Sequence, residues 1–357
     1  MSIININGKQ VSRNSSPYFI ADIAANHDGE LSRAFKLIEL AKESGADAAK
    51  FQNFKANKIV SRRGFDAMGS QLSHQSDWQK SVFEIYEDAS ISDDWTPQLK
   101  AKCDEVGIEY FTSPYDIVSV DAVDPYVALY KIGSGDITWL DIIEYIAKKN
   151  KPVLIASGAS CMEDVDRAME VILKHTNKIV LMQCNTNYTG SSENFKYINL
   201  NVLKSFKEKY PQVILGLSDH THGHSTVLGA LALGATVFEK HFTDDNKRAG
   251  PDHKFAMNPD TWREMVAATN ELFQALGDGI KKIEENEKQT VLVQRRGLRY
   301  KRDLRSGHTI AESDIIPLRP YKVEGFHPYQ KDSIIGKTLC KDIDADQLVR
   351  AGDISND

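Results

Sequence analysis

Eight short hydrophobic runs, each separated from the next by a helix-like or loop segment, constrain what this chain can fold into more than any other feature. They read YFIADIA from Tyr18, AAKFQNF from Ala48, IEYFTS from Ile108, ALYKIGS from Ala128, PVLIAS from Pro152, IVLMQCN from Ile179, VILGLSD from Val213 and TVFEKHF from Thr236. Strand-like runs alternating with helical patterns are the signature of βαβ units and a parallel sheet. Eight such units close into a (β/α)8 TIM barrel. The segment LSRAFKLIELAKESG places apolar residues at three- and four-residue spacing and ends on Gly45, as an outer-layer helix with a glycine C-cap would. The second connection, residues 54–89, is far longer than the 2 to 6 residues usual for a βα loop. Long loops at this face of a barrel commonly carry function.

After Gly277 the texture changes to the charged IKKIEENEKQT. The β-like pieces GLRYKRDL, HTIAESDIIPLRP and GKTLCKDIDADQLVRAGDI follow, punctuated by Gly, Asp and Pro. The expectation is an α/β barrel domain at 1–284 and a small β-rich domain with its linker at 285–357. A length of 357 residues and 41% hydrophobic content allow two domains with a sizeable core. A net charge of −6 offers no basic surface of the kind nucleic-acid binding needs, which points to a small-molecule ligand. Cys103, Cys161, Cys184 and Cys340 are scattered without a C-x-x-C pair, which suits reduced thiols. The N-terminal MSIININGKQV lacks the regions of a signal peptide, and no apolar run approaches the ~20 residues of a membrane span. A cytoplasmic protein with no membrane partner is expected.

The ends of the strands carry polar residues where a core strand would end apolar: Asp22, Lys50, Gln52, Thr112, Lys131, Ser134, Asp136, Ser157, Tyr188, Ser218, His220 and His241. His220 and His241 lie 21 positions apart, one βαβ step, so both imidazoles reach the same barrel mouth. Two neutral imidazoles there could share a divalent ion and leave positions open for water or substrate, as catalytic rather than structural sites do. The plainer alternative is that each bonds a loop carbonyl. His222, His224 and His253 are supporting candidates. Lys50 and Lys131 would be costly to bury without a counter-charge. An anionic ligand would supply it, and Ser134, Ser157 and Ser218, with the backbone N–H groups at Gly133, Gly135 and Gly158, suit a phosphate and a carboxylate. A neighbouring aspartate for each lysine is the alternative.

These residues resemble the N-acetylneuraminate (sialic acid) synthase family, with its legionaminate and pseudaminate synthase relatives. The resemblance rests on FIADIAANHDG, GADAAKFQNFK, FTSPYD, YKIGSGD, GLSDHT and FEKHFTDDNKRAGPDHKF. RRGLRYKRDLRSGHTIAESDIIPLRP and GKTLCKDI resemble the antifreeze-like (SAF) domain of that family. The resemblance implies condensation of phosphoenolpyruvate with the open-chain aldehyde of a hexosamine, giving a nine-carbon 2-keto acid and phosphate. It implies that His220 and His241 hold a divalent metal, manganese first, with magnesium or cobalt as alternatives. It places Lys50, Thr112, Lys131, Ser134, Ser157 and Ser218 around phosphoenolpyruvate, and Gln52, Tyr188, Asp252 and Arg319 toward the sugar. It also implies a homodimer in which the C-terminal domain of one subunit covers the barrel of the other. Water must add at phosphoenolpyruvate C2, which requires a carboxyl able to move a proton. Asp136 is the candidate, with Asp22 as a further catalytic carboxylate.

Asp22 and Asp136 stand where the family usually carries glutamate, and each loses one methylene of reach. The chain reads TG after Tyr188, carries Thr186 where an asparagine is usual, and has Pro320 and Tyr321 after Arg319. These differences bear on the acceptor. Three other readings stay open: a metal-dependent isomerase or hydrolase on the same barrel, a non-catalytic sugar-binding descendant, and a keto-sugar synthase for a phosphorylated aldose, for which Lys58, Arg62 and Arg63 would form the phosphate cluster.

Overall fold

The structure, a computed structural model, describes residues 3–6, 8–71, 75–76 and 78–355. Residues 72–74 and 77 of the long second connection, and parts of both terminal stretches, lie outside the described residues.

A short antiparallel hairpin of β1 (Ile4–Ile6) and β2 (Lys9–Val11) precedes the barrel. Ile4, Ile6 and Val11 are buried in the main core. Arg13 Nε donates to Val213 O at 2.9 Å and Thr236 Oγ1 donates to Ser12 O at 2.9 Å, which ties the segment after the hairpin to the starts of two barrel strands. All eight hydrophobic runs form strands: β3 (Tyr18–Asp22), β4 (Ala48–Asn53), β5 (Glu109–Pro114), β6 (Tyr130–Ile132), β7 (Val153–Ala156), β8 (Ile179–Cys184), β9 (Ile214–Asp219) and β10 (Ala235–His241). They pair in parallel in chain order, and β10 returns to pair β3, closing the barrel. Buried on both faces, these strands read as continuous apolar runs rather than alternating ones.

The helices form the outer layer. Leu31–Glu43 buries Ala34, Leu37, Ile38 and Ala41, the stripe expected from its spacing. Gly45 follows at φ 93°, a left-handed conformation that suits glycine past a helix end. The final barrel helix, Pro259–Leu276, is capped by Asn258, whose side chain accepts from Asp260 N and Thr261 N. Its Trp262 is fully buried and meets Phe242 edge to face, with ring centroids 5.4 Å apart. No helix among the described residues is long and apolar enough to cross a membrane.

The chain divides into two compact units, Met1–Gly277 and Asp278–Asp357. The change of texture at residue 278 marks the start of the second, and position 285 falls within the charged segment leading to its helix Lys288–Gln294. This unit has its own core of Leu298, Tyr300, Leu304, Ile310, Ile315, Ile334, Leu339, Ile343 and Val349. Its antiparallel pair is β11 (Gly297–Tyr300) and β12 (Ile315–Leu318).

Trp262→Ala should lower the unfolding free energy of the barrel by about 3–5 kcal/mol through the cavity it leaves. Urea denaturation followed by far-UV circular dichroism measures this, and a loss below about 1 kcal/mol would show that the Trp262 contact is dispensable.

Candidate active site

A cavity of about 400 Å³ opens at the C-terminal ends of the barrel strands. Eleven of the fourteen site residues expected from the sequence line it: Asp22, Lys50, Gln52, Lys131, Ser134, Asp136, Tyr188, Ser218, His220, His241 and Asp252. Strand register explains the convergence. His241 on β10 is paired with Asp22 on β3, which is paired with Lys50 on β4. On the other side Glu239 is paired with Ser218, and Ser218 with Cys184.

Glu239, which sequence reasoning missed, organises the floor. Its Oε1 accepts from Lys131 Nζ at 2.9 Å and from Ser218 Oγ at 2.9 Å, and lies 3.3 Å from Lys50 Nζ. Lys50 Nζ also lies 2.7 Å from Asp22 Oδ2. The lysines therefore have counter-charges within the protein, where the sequence reading favoured an anionic ligand as the source. The physical reason is depth: both lysines are buried, and an ammonium there needs a carboxylate within contact distance. A usable signal was present in the sequence, because the period of two along a strand puts Glu239 on the same face as His241. Burial opposes ionisation of Glu239, but Lys131 and Lys50 outweigh it and hold the carboxyl well below its usual range. Asp22 is raised, by burial first and by the neighbouring Glu239 charge as well. Its Oδ1 accepts from Ala24 N at 3.1 Å and its Oδ2 from Gln52 Nε2 at 3.3 Å.

The two histidines are brought together, with ring centroids 5.3 Å apart. Burial, then His241, lowers His220 to about 3. Burial, then the Lys50 charge, lowers His241 to about 3. Both rings are neutral at physiological pH and carry lone pairs. The Nδ1 of His220 is 2.8 Å from Asn185 O, so this nitrogen carries the proton and Nε2 is left as the acceptor. The Nδ1 of His241 is buried with no hydrogen-bond partner. Asp22 Oδ2 lies 3.6 Å from His241 Nε2, and Asp252 Oδ2 lies 3.9 Å from His241 Nδ1. An orphaned imidazole nitrogen beside a second imidazole with an available lone pair fits a divalent cation. Among the described residues no group of three or more His, Cys, Asp or Glu side chains forms a metal cage, so such an ion would keep open positions.

Asp136 and Asp252 complete the mouth. Burial pushes Asp136 up to about 6. Burial, with Asp22 nearby, pushes Asp252 up to about 7 despite the bond its Oδ2 accepts from Ala25 N at 3.2 Å. Ser134 Oγ accepts from Gly158 N at 2.9 Å, and a Cβ at Gly158 would stand 2.5 Å from Thr186 Cγ2 and 2.8 Å from that hydroxyl. Tyr188 packs its ring on His220 at 4.3 Å. The long second connection supplies Phe54, Ile59, Gln75, Trp78, Ile85, Tyr86 and Ala89 to the outer wall.

Thr112 and Ser157 are not in the lining. Thr112 Oγ1 donates to Asn53 Oδ1 at 2.6 Å, and Ser157 Oγ donates to Met182 O at 3.0 Å. Arg319 belongs to the C-terminal unit, where its Nε donates to Gln294 O at 2.6 Å. Of the supporting histidines, His253 is fully buried next to Asp252, while His222 is exposed.

Comparison with known proteins decides the lineage. Residues 37–281 match the NeuB family model and residues 295–355 match the SAF domain model. The chain belongs to the NeuB family. It is 32% identical over 335 residues to the N,N'-diacetyllegionaminic acid synthase of Campylobacter jejuni, covering 93% of this chain and 98% of that protein. It is 32% identical over 347 residues to the pseudaminic acid synthase of the same species, covering 94% of this chain and 96% of that one. The crystal structure of N-acetylneuraminic acid (sialic acid) synthetase from Leptospira borgpetersenii shares the fold, with a TM-score of 0.71 and 23% identity over 81% of this chain and 95% of that chain. This NeuB family member is thus a synthase-type enzyme, with a closed barrel and a SAF domain.

Two outcomes follow from the site's electrostatics. The raised Asp136 carboxyl keeps its proton in the folded state up to about 6 but loses it near 4 in the unfolded chain, so its burial costs stability as pH rises between these values. Asp136→Asn should be more stable than the parent by roughly 1–3 kcal/mol at pH 7, with the gap closing near pH 4. Urea denaturation at the two pH values checks this, and an equal gap at both would contradict it. Glu239→Gln leaves Lys131 without its carboxylate and should cost roughly 3–5 kcal/mol at pH 7. Calorimetric unfolding unchanged from the parent would show that the floor does not depend on Glu239.

Proposed function

We propose that this enzyme condenses phosphoenolpyruvate with the open-chain aldehyde of a hexosamine or related sugar. The products are a nine-carbon 2-keto-3-deoxy acid and inorganic phosphate. The observation that carries the reading is the meeting, in one cavity, of two buried ammonium groups and a serine pair with two neutral imidazoles and a partly protonated carboxyl.

Lys50 and Lys131 each have three donors, so bonds to Asp22 and Glu239 leave N–H groups for the phosphate and carboxylate of the donor. Ser134 and Ser218 flank the same floor. These groups are fixed before substrate arrives, which favours charge stabilisation without reorganisation. In this reading C3 of phosphoenolpyruvate forms the new bond to the aldehyde carbon, and the aldehyde oxygen takes a proton. Water then adds at C2, and the C–O bond to phosphate breaks, leaving the 2-keto group. Asp136, with a pKa of about 6, can both give and take a proton near neutrality. His220 and His241 would hold the divalent ion, with manganese as the first candidate; when bound it supplies Lewis-acid polarisation of the aldehyde oxygen. Asp22 is committed to Lys50 and Gln52, so its role here is to fix the cradle rather than to transfer a proton.

The acceptor end of the cavity bears on the phosphorylated-aldose alternative. Among the described residues, the Lys and Arg side chains in the lining are Lys50 and Lys131, both at the floor, while the outer wall carries Phe54, Ile59, Trp78, Ile85 and Tyr86. Lys58, Arg62 and Arg63 are exposed, and Arg62 lies over the Phe83 ring at 4.2 Å. This wall favours an acceptor without a phosphate.

The test is phosphate release from phosphoenolpyruvate with Mn²⁺, against hexosamines, diamino-dideoxy hexoses and phosphorylated aldoses, with mass detection of product. Aldose-dependent release is expected with a non-phosphorylated sugar. His220→Ala and His241→Ala should each reduce turnover by at least about 100-fold in folded protein. Full activity of either variant would remove the imidazole pair from the mechanism.

A further inference from the structure

We propose that the buried ion pair between Lys240 and Asp219 sets the separation of His220 and His241, and through it the affinity of the mouth for a divalent cation. The inference rests on the imidazole-pair reading above.

Each histidine is preceded in the sequence by one member of this pair, in the order Asp219–His220 and Lys240–His241. The period of two along β10 sends Glu239 and His241 into the barrel and Lys240 out of it. Lys240 and Asp219 are the last register pair between β9 and β10, and His220 lies one residue beyond the ladder. The position of His220 relative to β10 therefore depends on what happens on the outer face. There Lys240 Nζ pairs with the Asp219 carboxylate and also donates to Thr221 O at 2.6 Å. The residues on both sides of His220 are thus tied to the residue before His241.

The carboxylate is held in turn. Asp219 Oδ2 accepts from Thr221 Oγ1 at 2.8 Å and from Thr226 Oγ1 at 2.7 Å, and Oδ1 accepts from Thr221 N at 3.3 Å. Thr226 lies in the first turn of the helix Ser225–Ala232, so the clamp joins strand, turn and helix. Lys240 is 2% and Asp219 3% exposed. An apolar pair of similar volume would serve stability as well or better at this depth. What an apolar pair lacks is direction: the bonds to Thr221 and Thr226 fix where the turn carrying His220 sits. Asn185 O holds His220 by a hydrogen bond, and the rings of Tyr188 and Phe255 each pack against both imidazoles, but these apolar ring contacts do not tie down the backbone of the turn after β9, which the Lys240 bond to Thr221 O does. Lys240 and Asp219 are positioning residues that act through the backbone of the two histidines.

The double variant Asp219→Leu/Lys240→Met removes both charges together and avoids leaving one buried alone. Two readouts on the full chain test the proposal: Mn²⁺ affinity by electron paramagnetic resonance, and, in metal-free protein, exchange of the His220 Nδ1–H followed by ¹⁵N-imidazole NMR. A folded double variant is expected to bind Mn²⁺ about 10- to 100-fold more weakly, as outer-layer partners of metal ligands commonly do, and to exchange this proton faster. Affinity within about twofold of the parent with unchanged exchange would overturn the proposal. If the parent itself binds no Mn²⁺, the imidazole-pair reading fails, and the exchange rates alone decide whether the pair positions His220: faster exchange supports it and equal exchange overturns it. If the double variant does not fold, Thr226→Val takes its place; it removes one donor to Asp219, and a loss of about threefold in affinity or a faster exchange is expected, with no change in either overturning the proposal.

Discussion

One carboxylate oxygen organises the active end of this barrel. Glu239 Oε1, on β10, accepts from Lys131 on β6 and Ser218 on β9 and neighbours Lys50 on β4. Four strands of the closed sheet thus converge on a single buried atom. Two ammonium groups at this depth would each cost several kcal/mol if unpaired. The shared carboxylate, with Asp22, brings the cluster close to neutrality and fixes the direction in which the remaining N–H groups point. The outer face of the same strands repeats the device with Lys240 and Asp219, so β10 contributes alternating charged residues to two separate buried networks.

Much of the fold was legible because parallel barrel strands are buried on both sides and read as plain apolar runs. Each of the eight runs became a strand, and Gly45 took the left-handed conformation its place after a helix suggested. The candidate site was legible where a polar residue broke such a run at its end, as Lys50, Lys131, His220 and His241 do. Glu239 was not legible because it sits inside the buried run TVFEKHF, two residues before the strand end, where the run alone does not show whether a carboxylate faces the barrel interior or a helix. Thr112 and Ser157 show the opposite failure: their hydroxyls satisfy Asn53 and Met182 within the protein instead of facing the cavity. The outer wall was not legible as structure, since it comes from a long connection whose described residues include short helices, Ala56–Ile59, Arg62–Ala67 and Val82–Ala89, that leave little periodic signal.

Membership of the NeuB family and the geometry of the mouth bear on different questions. The family models and relatives establish the lineage and the synthase type. The cavity bears on chemistry through local physics: neutral imidazoles, a carboxyl near neutrality at Asp136, a cradle already neutralised by Glu239 and Asp22, and an apolar outer wall. An anion entering such a cradle takes the ammonium N–H groups that Asp22 and Glu239 leave free, so its binding depends on how Lys131 is shared.

The most direct test of that central claim is calorimetric titration of the full chain with phosphoenolpyruvate, in the parent and in Lys131→Met. One site per chain is predicted, weakened at least about 30-fold by the substitution, since a charge-assisted bond worth roughly 2 kcal/mol or more is lost. Equal affinity in a folded Lys131→Met variant would place the anion somewhere other than the floor of this barrel.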